Sequence, residues 1–151
     1  MVEGTPFLPG LSPVAGKPLT ACQDGGNLTS NGGLIVLRES ARHLDIADVI
    51  AGPLPDTRNP LLVQHTYAEM VTARMMAIAA GYEDADDLDA LRNDPALMIA
   101  CGRAPETGRD IPSQPTISRL ENLADEATLK RIGTGFIDLF CRSYTSPPQR
   151  P

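Results

Sequence analysis

From Leu34 to Arg142 the apolar residues of this chain recur at intervals of three and four, and each stretch that keeps the period is cut by proline or glycine. Such a period lines apolar side chains along one face of a helix. The breakers then dictate where each helix stops. A chain so punctuated folds as short helices packed on one another.

Leu34, Leu37, Ala41 and Leu44 mark the first helical face. Asp45 is placed to cap a short second helix that buries Ile46, Val49 and Ile50. The segment GPLPDTRNP reads as a loop, and a long helix follows from about Leu61 to Ala80, with Tyr67, Val71, Met75, Ile78 and Tyr82 on its face and Gly81 at its end. Ala77, Ala79 and Ala80 would let a neighbour approach closely. Two short helices come next: Asp84 or Asp86 can cap the first, and Asp94-Pro95 opens the second. Leu88, Leu91, Leu97, Met98 and Cys101 supply their inward face. After a loop from Gly102 to Pro112, Ser113-Gln114-Pro115 starts a helix carrying Ile117 and Leu120.

The last helix runs from about Asp125 to Arg142 and would bury Leu129, Ile132, Phe136, Leu139 and Phe140. Gly133 and Gly135 lie inside it. Each costs up to about 1 kcal/mol against alanine, so they mark a close crossing. Ahead of all this, residues 1–33 are crowded with breakers, with room for one short strand near Leu19 to Cys22 and a turn at Asp24-Gly25-Gly26. The expected fold is mainly α: about six or seven helices over residues 34–142, an extended and loosely held arm over 1–33, and a Pro-rich tail over 143–151. Leu37, Val71, Ile78, Leu91, Leu97, Leu120 and Phe136 are the expected buried positions.

No apolar run approaches the roughly 18–20 residues of a membrane span. The opening MVEGTPFLPG lacks the basic and apolar regions of a secretory signal, so the cytoplasm is the expected compartment and no membrane partner is expected. Cys22, Cys101 and Cys141 are far apart, as are His43 and His65, which suits neither a disulfide framework nor a zinc site. The net charge of −6 argues against a chain-wide affinity for nucleic acid. The imbalance is uneven: residues 1–101 hold 6 basic and 13 acidic side chains, residues 102–151 hold 7 and 6. Any nucleic-acid contact should come from the C-terminal third.

Two segments invite a chemical reading. Glu83, Asp84, Asp86, Asp87, Asp89 and Asp94 form an acidic cluster, and converging carboxylates can hold metal for phosphoryl transfer. These crowd the starts of helices, where carboxylates serve as caps, so no metal ligand and no catalytic residue is assigned. No GxSxG, P-loop or HExxH motif occurs. The helix that opens at Ser113 carries Ser113, Gln114, Thr116, Ser118 and Arg119, short polar and basic residues of the kind that reach base edges and phosphates from a recognition helix. These five are the candidate DNA-binding residues. The plainer reading makes Ser113 an N-cap and Arg119 a surface residue paired with Glu121 or Asp125.

Three segments in order resemble DDE transposases of bacterial insertion sequences. They are Leu28 through Glu39 (LTSNGGLIVLRE), Gly81-Tyr82-Glu83-Asp84 followed by Asp87, Leu91-Arg92 and Asp94-Pro95-Ala96-Leu97, and Ser113 through Asn122 (SQPTISRLEN). The resemblance implies an N-terminal helical region that binds transposon-end DNA and assembles with itself or with a full-length transposase. It also implies a following RNase H-like domain whose Asp-Asp-Glu triad holds Mg²⁺ or Mn²⁺. The first triad residue would lie beyond a Pro-Pro pair corresponding to Pro147-Pro148, so the triad is expected outside this chain, which needs no cofactor of its own. Two other readings stand beside it: a free-standing helix-turn-helix regulator, and a non-functional transposase remnant.

Overall fold

The computed structural model describes residues 10–20 and 29–144. Among them are seven α-helices: α1 (Gly33–His43), α2 (Ile46–Ala51), α3 (Tyr67–Ala79), α4 (Asp87–Leu91), α5 (Pro95–Ala100), α6 (Gln114–Glu121) and α7 (Glu126–Arg142). The fold is mainly α, as the periodicity requires, with no sheet among the described residues. No described helix is long and apolar enough to cross a membrane.

α3 is the central element, packing against α1, α2, α5 and α6. Its buried set, Met70, Val71, Ala73, Met76 and Ala77, wraps well beyond one stripe, as a helix surrounded by neighbours demands. Ala73 and Ala77 are fully buried and let those neighbours approach. Around α3 the core continues through Leu34, Leu88, Leu97, Ile111, Ile117 and Leu120.

Cap chemistry sets several of the boundaries. The Asp94 carboxylate accepts from Leu97 N–H at 2.8 Å with Pro95 in the first turn, and Asp125 accepts from Thr128 N–H at 2.7 Å. Gly81 ends the α3 region at φ +93°, a conformation L side chains rarely adopt. The start of α3 departs from expectation. Pro60–Leu62 form a separate 3₁₀ turn, and α3 begins only at Tyr67, where Thr66 and Glu69 make a reciprocal capping box. Neither Asp84 nor Asp86 caps α4 with its side chain. Asp84 instead accepts from Asp86 N–H at 3.0 Å and closes the turn before it. Asp45 also makes no side-chain cap. It holds φ 51° and donates its N–H to Arg42 O, so it terminates α1 in the manner of a left-handed C-terminal residue.

Val71, Leu97 and Leu120 are buried and Leu91 is half-buried, but Leu37, Ile78 and Phe136 are exposed. In α1 the period is right and the phase is off: Leu34, Arg38 and Ala41 point inward, because Arg38 must reach the chain ahead of the helix. In α7 only Thr128 is buried, while Leu129, Phe136 and Phe140 face away from the body. α7 lies on α2, and the two cross at Gly135, where an added Cβ would sit 2.9 Å from Val49 Cγ1.

The N-terminal arm is not loosely held over its described part. Val14 and Lys17 exchange both backbone hydrogen bonds at 2.9 Å around Ala15-Gly16, and Val14 and Leu19 are buried. Cys22 and the Asp24-Gly25-Gly26 turn lie outside the described residues, as do Pro147 and Pro148.

The two α7 glycines predict opposite responses. Gly133 has nothing within 4 Å of an added Cβ, so Gly133→Ala should stabilise the chain in dilute solution by up to about 1 kcal/mol. Gly135→Ala should destabilise it by about 1 kcal/mol, because stiff Val49 must move, and Val49→Ala should relieve that effect. Urea unfolding of the three variants checks the signs.

Candidate nucleic-acid interface

α6 is held at its start by groups from elsewhere in the chain. Ser113 stands at the N-cap with extended backbone, but its hydroxyl makes no cap bond; it lies 3.1 Å from the Thr116 hydroxyl. The Gln114 N–H donates to the Asp89 carboxylate at 3.1 Å. Pro115 has no N–H to offer, and Thr116 N–H donates to Ser113 O at 3.0 Å. A helix N-terminus attracts phosphate through unclaimed N–H groups. Here the donors of the first turn are engaged and a carboxylate stands beside them.

What α6 can offer DNA is therefore side chains. Gln114 and Ser118, four residues apart, share one edge and are both half-buried. Thr116 and Arg119, three apart, share another, and Arg119 is exposed. Four of the five candidates thus split between two edges, and Ser113 stands at the N-cap. Both partners that the plainer reading gave Arg119 are engaged elsewhere. Glu121 pairs with Arg74, and Asp125 caps α7. Arg119 makes no ion pair with any described residue. α6 is also not the second member of a tight helix-turn-helix. It follows the Cys101–Ser113 connection, far longer than the roughly 3–4-residue turn of that motif.

The segment ahead of α6 is positioned by a buried cation. Arg103 donates to Arg109 O at 2.9 Å and Asp110 O at 2.7 Å, and its other nitrogen meets His65 Nδ1 at 3.1 Å and the Glu69 carboxylate at 3.2 Å. Ile111 and Pro112 then run into α6 fully buried. A cluster of this kind carries little sequence signal, because Arg103 lies 38 residues from His65 and 34 from Glu69 and only the fold joins them.

Most cations of this chain have similar internal duties. Arg38, Arg42, Arg58, Arg74, Arg92, Arg103 and Lys130 are ion-paired. Arg131 donates to Pro53 O and Arg142 to Asp138 O. Among the described residues the side chains of Lys17, Arg109 and Arg119 are left for an outside phosphate.

Three carboxylates of the acidic segment are engaged within the chain. Asp84 accepts from Asp86 N–H, Asp89 from Gln114 N–H, and Asp94 from both Leu97 N–H and the Thr29 hydroxyl. Among the described residues no three His, Cys, Asp or Glu side chains converge on a site for an ion. Burial pushes the Cys101 thiol up to about 12, which leaves it protonated and unreactive, and Cys141 is exposed.

Residues 11–150 match the family model described as Transposase DDE domain group 1, a span that takes in all seven helices. No curated protein and no solved structure matches the chain.

His65 gives this region a pH signature. Burial, then the charges of Arg103, Arg109 and Arg92, hold its imidazole below the ordinary value of 6.5, against the opposing pull of Glu69. Its Nδ1 must be unprotonated to accept from Arg103. The unfolded chain therefore takes up this proton at higher pH than the folded one. Stability present above 6.5 is lost as pH falls through that value toward the folded pKa. Melting temperature should fall over this window, and a His65→Asn variant, which keeps an acceptor but cannot titrate, should lose the step.

Proposed function

We propose that this chain, which belongs to the Transposase DDE domain group 1 family and so serves in DNA transposition, is a DNA-binding and assembly portion of a transposase with no catalytic triad of its own. Its partners in this reading are transposon-end DNA and either a second copy or a full-length transposase. Mg²⁺ or Mn²⁺ chemistry belongs to the full-length enzyme. The observation that carries the DNA-binding role is Arg119: exposed on α6, in the more basic third of the chain, with both nearby carboxylates committed elsewhere. Thr116 shares its edge, Gln114 and Ser118 line the other edge of α6, and Ser113 stands at the N-cap.

The mode of binding follows from what the fold leaves free. With the first-turn donors engaged, α6 reads through side chains: Arg119 toward guanine or phosphate, Gln114 toward adenine. With about three free cations among the described residues, affinity should be modest and log Kd should change by about 0.9 per phosphate neutralised, a slope near 3 if all three meet phosphate. The Cys101–Ser113 connection argues only against α6 as the second helix of such a motif, whereas the Asn122–Asp125 turn to α7 has the length that motif uses, so the helix-turn-helix regulator stands as the alternative.

Fluorescence anisotropy on transposon-end DNA at two salt concentrations tests this. Arg119→Ala should weaken binding by about 1–3 kcal/mol and relax discrimination at one base if it reads that base. A uniform loss with a slope shallower by about one makes it a phosphate contact. Equal binding by both proteins removes α6 as the reader. The wild-type chain alone should not nick this DNA with Mg²⁺ or Mn²⁺. Nicking abolished by Asp84→Ala with Asp87→Ala would overturn the non-catalytic assignment.

A further inference from the structure

We infer that the outer face of α7 is a self-association surface, on which a second copy of this chain docks through its own α7, the two helices antiparallel about a twofold axis. Leu129, Phe136, Ile137, Phe140 and Tyr144 recur along this face and are between 43% and 63% exposed. Phe140 and Tyr144 already stack edge-on at 4.9 Å, so the patch is preformed. At roughly 100 Å² of exposed surface per side chain, the five present about 500 Å². A protein interface is only about 60% apolar. Covered by a second copy, such a patch would supply the apolar share of about 800 Å² per partner, which is what a specific complex needs.

Gly133 supplies the second observation. It lies in the same stripe, four residues after Leu129 and three before Phe136, and nothing within 4 Å explains the absence of its Cβ. Gly135 is accounted for by Val49; Gly133 is not. A notch in an apolar helix face admits the backbone or a side chain of another helix. In an antiparallel pair with its twofold axis between them, Gly133 of each copy faces Ile137 of the other. Notch and knob thus come from the same surface, as an isologous interface requires. Leu129 then meets the Phe140 region, and Glu126 comes opposite Tyr144, whose hydroxyl can donate to it. Glu126 is the one charged position along the stripe, and the antiparallel pairing places the two copies of it at opposite ends, so no like charges are set against each other.

This narrows the assembly role proposed above to one partner, and its test contains no DNA, so it fails or succeeds apart from the DNA-binding reading. Sedimentation equilibrium of the full chain, from low to high micromolar concentration, should show a reversible monomer–dimer equilibrium. Ile137→Glu with Phe140→Glu should weaken dimerisation by at least about tenfold, with circular dichroism and melting temperature unchanged, because both side chains project into solvent. Gly133→Leu separates association from folding: the dilute monomer should melt higher while the dimer weakens at least about tenfold. A dimer that survives the double glutamate variant, or is indifferent to Gly133→Leu, would overturn the inference. So would a wild-type chain monomeric throughout the range, which would assign this face to a different partner.

Discussion

Arginine bonding to loop carbonyls is the interaction on which the rest of this structure depends. Among the described residues, seven helices, the longest of 17 residues, leave many connections whose carbonyls have no helical partner. Arg38 donates to Ser12 O and Pro13 O, Arg58 to His65 O, Arg74 to Tyr82 O and Glu83 O, Arg103 to Arg109 O and Asp110 O, and Arg131 to Pro53 O. A guanidinium can hold two carbonyls at once with its planar fork, which a lysine ammonium does less well. Arg38 and Arg103 do so from buried positions, and Glu39 and Glu69 supply the countercharge. Arg58 adds a stacked contact 3.9 Å from the Tyr67 ring centroid and hydrogen bonds that hold Asp56 at about 2.

That arrangement explains which features were legible in the sequence. Helix ends governed by local chemistry were: Asp94-Pro95, Asp125 and Gly81 each act within a few residues of themselves. The capping box of Thr66 and Glu69 was equally local, but the apolar residues from Leu61 onward ran the helix period past it. Helix phase was not legible. A pattern that counts only apolar residues turns Leu37 inward, whereas the seat belongs to Arg38 because two carbonyls from residues 12 and 13 lie there. On α7 the apolar band is wider than the strip that α2 covers, so no periodicity could say which part would remain outside.

The same economy of charge shapes the candidate DNA surface. Counting basic residues overstates what a phosphate backbone can meet, since most of those side chains are turned toward this chain's own carboxylates and carbonyls. The acidic segment is misleading in the opposite sense. Asp89 and Asp94 look like a metal cluster when read in line, yet one fastens the start of α6 and the other the start of α5. The match of the family to nearly the whole chain agrees with the three segments that suggested it. Some residues of those segments are structural: Asp94 caps α5, and Arg92 pairs with Asp110.

The sparse anchoring of α7 bears on how the molecule comes apart. A helix with one buried residue and two interior glycines has little to oppose its release, whereas α3 and its neighbours open only with the whole core. Amide protection should therefore be graded within one native state, with α7 exchanging through detachment and α3 through global unfolding. The detached form keeps the α1–α6 core and uncovers Val49 on α2. Among the seven helices a protease would thus find its first substrate in α7, in a population set by local rather than global free energy.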